Sequence, residues 1–405
     1  MSAGSYFQAR MVFKQIRHLL PVLATAGMVI GVHGLQLTLV AVRGASHGFS
    51  VSLIGVMSAV YSLGFAIGCL WATRLLGRFS HSQIFTILVT VAASVAAMMA
   101  STAEPAIWIG LRLVSGFAYA GLLALIEGYI NANASNSHRA QILSIYRFVT
   151  LGAVAAAQYA IPLVGVNSSA LFLLISAVLV ATLLPFSRVK TAGSAAAITR
   201  RFDLSTAWRI SPLAVLGSIA AGMTATTFRS TGPVYAHLVG MTPAGIATFM
   251  SAGLMGGLIL QYPLAFFSDR MNRIAVIVVT LMGAVAVAGF LSAFADTNTM
   301  LNMIGIAIFG AFSFPVYALC SAHGHDRAGH GHENVALAAS LLFFVSLGGA
   351  LGPLLVSALM QHAGHAAFFL YMMSVHGFMG AYAVYALTTG DLNKSGEAPR
   401  RSSVP

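Results

Sequence analysis

Arginine is costly inside hydrocarbon and well suited to gripping an anion, so arginines that interrupt apolar sequence mark candidate chemistry. Arg112 and Arg229 each stand inside a long apolar run. A charge there costs on the order of 3 kcal/mol or more unless it faces a cavity or a partner. The planar guanidinium fork suits a carboxylate or phosphate, which it holds through parallel hydrogen bonds. His33 and Gln36 lie in the first apolar run; an imidazole with an ordinary pKa of about 6.5 can carry a proton at physiological pH. Glu127 and Arg147 complete the ionisable set within apolar sequence. Glu127 reads as an ion-pair partner for Arg139, Arg78 or Arg147. Its other reading is a second proton carrier, should burial favour the neutral acid.

The elements that must position these residues are membrane helices. Of the 405 residues 58% are hydrophobic and only 7% charged, with a mean hydropathy of +0.86, a balance no water-soluble domain of this length shows. Runs of about 20 apolar residues, enough to cross about 30 Å of hydrocarbon, recur along the chain. The expected spans are 18–42, 50–73, 83–102, 105–130, 140–164, 168–187, 210–236, 243–267, 274–294, 298–321, 335–360 and 364–388. The fold class is therefore an all-α membrane protein of twelve transmembrane helices.

A net charge of +12 invites a nucleic-acid reading, and the placement of the charge answers it. With the N-terminus inside, every Lys and Arg except Arg43, Arg112, Arg147 and Arg229 falls in a cytoplasmic segment. That asymmetry is the positive-inside rule, and it puts both termini in the cytoplasm. No nucleic-acid partner is expected. The basic N-terminus before an apolar run is not read as a cleaved signal, because the run is too long and lacks a small-residue cleavage site. Cys69 and Cys320 both fall in or beside apolar spans and suggest neither a disulfide framework nor a metal site. The segment from His323 to Glu333 contains His325, Asp326, His330 and His332, but its glycines fix no ligand geometry, so it reads as a solvated loop and no metal or other cofactor is expected.

The only long polar interruption, Ser187 to Trp208, has the composition of a surface connector and leaves six spans on each side. The expected organisation is a first bundle at 1–187, a linker at 188–208, a second bundle at 209–390 and a cytoplasmic tail at 391–405. Arg78 and Arg270 hold matching places after spans two and eight, so an offset near 192 residues relates the halves. Such repeats place a binding site near the bilayer midplane between them.

The segment Gln261 to Arg273, with Ser268-Asp269-Arg270-Met271-Asn272-Arg273, resembles the Gly-x-x-x-Asp-Arg-x-Gly-Arg loop of the major facilitator superfamily in its second-half copy. The first-half copy at Thr73 to His81 keeps Arg78 but has Gly77 at the acid position. Arg112-Leu113-Val114-Ser115-Gly116 is similar to the family's Arg-containing motif on helix 4. Gly348-Gly349-Ala350-Leu351-Gly352-Pro353 on span eleven, Pro315 to Asp326 and Gln158 resemble a branch of bacterial inner-membrane facilitators.

The resemblance implies two pseudo-symmetric six-helix bundles that rock around a central site, with helices 1, 4, 7 and 10 around the cavity. On that architecture Arg112 and Arg229, each about 10 Å into the core, converge with His33 and Gln36, while Phe314 and Tyr317 on helix 10 add aromatic contacts. Alternatively, Arg112 is the family's structural arginine, bonded to main-chain carbonyls. Asp269 is placed to meet the first N–H groups of a neighbouring helix. Together with Arg270, Arg273, Arg78, Glu127 and Arg139 it makes up the expected gate.

The function implied is a monomeric, non-enzymatic secondary transporter of the bacterial inner membrane. Its cargo is a small organic solute, anionic if both arginines reach it, and protons drive it through His33 or Glu127. There is no phosphate-cradling Gly-x-x-x-x-Gly-Lys-Ser/Thr loop. Multidrug efflux by proton exchange is the alternative, and a non-transporting membrane sensor is a remoter one.

Overall fold

A computed structural model describes residues 3–75, 79–133, 139–189, 204–328 and 332–389. Its helices in the first half are α1 (Ala3–Ser46), α2 (Val51–Leu75), α3 (His81–Ser101), α4 (Pro105–Asn133), α5 (Arg139–Gln158), α6 (Ala160–Val164), α7 (Ala170–Ala181) and α8 (Leu183–Phe186). The second half holds α9 (Leu204–Ile210), α10 (Pro212–Leu238), α11 (Pro243–Ser268), α12 (Arg273–Phe294), α13 (Thr299–Ser313), α14 (Val316–Arg327), α15 (His332–Ala363) and α16 (Ala367–Thr388).

Among the described residues, ten helical segments are long and apolar enough to cross a membrane; α9 with α10 makes an eleventh, and α7 with α8 forms a shorter apolar stretch. The twelve expected spans are thus present, although not all as unbroken rods. Proline accounts for three breaks, since it lacks an N–H and its ring crowds the carbonyl four residues back. Pro162 follows the end of α5 at Gln158, Pro185 follows the end of α7 at Ala181, and Pro315 separates α13 from α14. The 113° bend between α9 and α10 falls at Ser211. Its hydroxyl caps Ala214 N–H at 3.1 Å, and Pro212 opens the new helix. Of the expected linker, 190–203 lie outside the described residues, as does 390–405 at the tail.

The pseudo-repeat shows in backbone packing. A Cβ on Gly64 would overlap the Leu113 carbonyl oxygen and one on Gly116 that of Tyr61, so only glycine lets α2 and α4 approach this closely. In α11 and α13, Gly256 meets the Ala307 carbonyl and Gly310 that of Gly253 in the same way. These pairs are related by offsets of 192 residues for α2 to α11 and 194 for α4 to α13. Both halves therefore use the same small-residue contact.

The halves meet on the side away from the termini. Ser62 donates to the Gly349 carbonyl at 2.9 Å and Ser251 to that of Ala155 at 2.9 Å. Tyr159 and Thr248 hydroxyls lie 3.4 Å apart, and Ser52 is hydrogen-bonded to Gln361. Apolar clusters cross the same seam: Ala41 and Ile54 pack with Val234, and Val42 and Val154 join Phe228 and Tyr235.

Candidate functional site

The α2–α4 contact sets the geometry of the first half's polar centre. With the backbones pressed together at Gly116, the Tyr61 ring lies under the Arg112 guanidinium, 4.2 Å from its centroid. Arg112 is 2% exposed, and its Nε has no acceptor. Among the described residues the guanidinium makes no hydrogen bond at all; in particular it does not bond main-chain carbonyls, so that structural reading is not met.

His33 of α1 completes the cluster. Its Nε2 lies 2.5 Å from the Tyr61 hydroxyl, and its ring centroid is 4.5 Å from that of Tyr119 on α4. The Tyr119 hydroxyl is buried without a hydrogen-bond partner among the described residues. Gln36 is 1% exposed and turns its amide toward α3, where Nε2 meets the Met99 sulfur at 3.7 Å.

Arg229 of α10 faces this cluster from the second half. It is close enough for its charge to act on His33 and Tyr61. Its side chain is exposed. Arg147 of α5 acts electrostatically on Arg229 and is also exposed. Neither guanidinium has a hydrogen-bond acceptor or an ion-pair partner among the described residues.

Nearer the end that carries the termini, Arg147 joins Glu127, Ile130, Leu143 and Tyr146 around a cavity of about 210 Å³. Tyr146 donates to Glu127 Oε1 at 3.1 Å. Glu127 is exposed rather than buried. The other acids among the described residues, Glu104, Asp269, Asp296, Asp326 and Glu333, stand in a loop or within about a turn of a helix end, so Glu127 is the described acid set deepest in the helical framework.

The structure links His33 to Arg112 through Tyr61, with Tyr119 stacked on His33 and Arg229 of α10 within electrostatic range; Tyr61 and Tyr119, and Arg147 of the neighbouring cavity, are residues the sequence reading did not assign to the site. Phe314 and Tyr317 do not join them. Phe314 stands at the α13–α14 break, set edge-on to Phe228 at 5.6 Å and against Gly257. Tyr317 packs on the apolar cluster of Ala207, Ala214, Val215, Leu337 and Leu341. The interruption before Pro315 resets the helical phase, so positions counted along one continuous helix do not predict where these rings point.

At the α11–α12 corner, Arg273 binds Asp269 at 3.1 Å, Asp326 of α14 at 2.8 Å and the Ser268 hydroxyl at 2.9 Å. Asp269, which caps the end of α11, therefore pairs with the side chain of Arg273, the first residue of α12, where the sequence reading aims it at the first backbone N–H groups of a neighbouring helix. Arg270 stacks on Phe266, 3.5 Å from the ring centre. Arg78 lies outside the described residues; Arg139 opens α5, but its side chain lies outside them too.

Chemically, Arg112, Arg147 and Arg229, none of which has a hydrogen-bond acceptor among the described residues, are equipped to bind an anion. A model of the Major Facilitator Superfamily matches residues 19–353. An uncharacterized MFS-type transporter of Enterobacter sp. (strain 638) is 23% identical over 85% of this chain and 87% of its own length. The uncharacterized MFS-type transporter YcaD of Salmonella paratyphi B is 24% identical over 80% and 83%. Among solved structures, the nucleoside transporter NupG superposes with a TM-score of 0.74 at 16% identity, covering 91% of this chain and 98% of that one. A D-xylose-proton symporter superposes with a TM-score of 0.72 at 12% identity, covering 92% and 97%.

Proposed function

Because the chain belongs to the Major Facilitator Superfamily, we propose that it is a proton-coupled secondary transporter that carries a small organic anion across the bacterial inner membrane by alternating access. The observation that carries this reading is Arg112, a guanidinium 2% exposed and with no acceptor among the described residues. An uncompensated buried charge costs on the order of 3–5 kcal/mol. A bound anion removes that cost, and Arg229 of the second half supplies a second donor fork.

The seam away from the termini is closed by Ser62 on Gly349 and Ser251 on Ala155. Rocking of the two bundles, 1–187 and 209–390, would open that seam and close the opposite one, where Arg273, Asp269 and Asp326 form a charged corner. Both termini are cytoplasmic on the distribution of basic residues, so the closed seam faces outward.

Proton coupling follows from charge. An imidazolium at His33 would stand beside two guanidiniums, which repel it; an anion between them offsets the repulsion. Proton and anion then bind cooperatively, each favouring the other by the same factor. Glu127, bonded to Tyr146 and sharing its cavity with Arg147, is the alternative coupling group. A cationic drug would meet the same arginines, which argues against the multidrug alternative.

The test is uptake into proteoliposomes, with and without an imposed inward proton gradient, across a panel of organic acids, neutral sugars and cationic dyes. Gradient-stimulated uptake of an organic acid is expected. Transport confined to neutral or cationic solutes would overturn the reading.

A further inference from the structure

We infer that the cavity between α4 and α5 is a binding site in its own right, for a small zwitterion of the amino-acid class whose ammonium meets Glu127 and whose carboxylate meets Arg147. It stands apart from the Arg112 cluster. Arg112 and Glu127 lie fifteen residues apart on α4, about 22 Å along its axis.

Helix geometry sets the two charges at one level. Glu127 lies six residues before the end of α4 at Asn133, about 9 Å, and Arg147 eight residues after the start of α5 at Arg139, about 12 Å. With only residues 134–138 between them, the two helices run antiparallel. The two side chains accordingly line one cavity, with Ile130, Leu143 and Tyr146. Opposite charges placed this way could close on one another, yet Arg147 has no ion-pair partner and no hydrogen-bond acceptor among the described residues. The cavity is the gap that keeps them apart.

Its size and lining select the occupant. A volume of about 210 Å³ holds about seven waters at about 30 Å³ each. That suits a small amino acid and falls short of the roughly 300 Å³ from which drug-sized pockets begin. Tyr146 is buried and donates to Glu127 Oε1 at 3.1 Å, which orients the carboxylate. A carboxylate has about four lone-pair sites, so it can take an ammonium besides this bond. The Arg147 fork suits the carboxylate of the ligand. Ile130, which is fully buried, and Leu143 offer a wall to a short aliphatic side chain. A simple anion would be repelled by Glu127 and a simple amine by Arg147; a zwitterion satisfies both.

The experiment is isothermal titration calorimetry on the purified full chain in detergent with L-valine and its two single-charge analogues: isovalerate, which lacks the amine, and isobutylamine, which lacks the carboxylate. Wild type should bind valine at least about tenfold more tightly than either analogue, the loss of one charge-assisted hydrogen bond. Glu127→Gln should remove the advantage over isovalerate, and Arg147→Gln the advantage over isobutylamine. Leu143→Trp fills the cavity while keeping both charges and should abolish valine binding. Arg229→Leu should leave the valine affinity unchanged. Valine bound no more tightly than its analogues by wild type overturns the site, and that comparison needs no variant to fold. Valine binding that survives Leu143→Trp overturns it too. So does binding lost in Arg229→Leu but kept in Arg147→Gln, which would put the zwitterion at the Arg112 cluster. Uptake of organic acids is measured separately, so failure of this site leaves the anion reading standing.

Discussion

Arg112 holds its guanidinium 4.2 Å over the ring of Tyr61, and it can do so because Gly116, one turn along the same helix, lets the Tyr61 backbone lie against α4. The ring supplies part of the stabilisation a missing carboxylate would otherwise provide, about 2 kcal/mol for a desolvated pair. The ring leaves the fork free to take another acceptor.

Tyr61 has two separable functions, so two substitutions separate them. Tyr61→Phe keeps the ring under Arg112 and deletes the hydroxyl 2.5 Å from His33. Uptake at fixed pH should persist in this variant, with a flattened dependence on the imposed pH gradient. Tyr61→Leu removes the ring as well and should lower stability by about 2 kcal/mol in thermal melts. A pH profile in Tyr61→Phe identical to wild type would show that the His33 proton is not read through this hydroxyl.

The repeated glycine contact makes an internally controlled test. Gly116→Ala and Gly310→Ala each set a Cβ against a carbonyl oxygen of the facing helix. Each should destabilise by about 1–3 kcal/mol, the usual range for overpacking. Only Gly116→Ala displaces Tyr61 from Arg112, so it alone should also raise the KM for the transported anion. Equal KM effects in the two variants would make the contact structural only.

Hydropathy made the spans and the two-half division legible, since lipid demands long apolar helices. Arg112, Arg229 and His33 were legible for the same reason, as polar residues where polarity is costly. Tyr61 was hidden, because an aromatic in an apolar span reads as packing. Arg147 stood out in the sequence as an ionisable residue within apolar sequence, but it read there only as an ion-pair partner for Glu127 and so was not assigned to the site. The helix breaks were illegible for a further reason: Pro21, Pro233, Pro263 and Pro353 sit inside continuous helices while Pro162, Pro185 and Pro315 mark breaks. Neighbouring helices decide which freed carbonyls are satisfied, and that is tertiary information.

Closure of the seam away from the termini is testable by cross-linking. Ser52 and Gln361 are hydrogen-bonded across the two halves. With Cys69 and Cys320 replaced, a Ser52→Cys and Gln361→Cys pair should oxidise readily, block transport and regain it on reduction. Transport undiminished by a complete cross-link would mean that this seam does not open in the cycle.

Arg229 is the sharpest test of the site, because its chemistry and its packing can be varied apart. Its side chain is exposed and makes no hydrogen bond or ion pair among the described residues, so removing it breaks no network. Arg229→Leu should therefore leave the melting temperature nearly unchanged, within about 0.5 kcal/mol as for substitutions away from packed features, while abolishing anion uptake. Arg229→Lys keeps the charge and loses the fork. If the site works by bidentate grip, lysine restores little; if it works by charge alone, lysine restores most of the rate and of the salt sensitivity. Full transport in Arg229→Leu would remove the arginine from the site, and with it the reason for placing an anion between the halves.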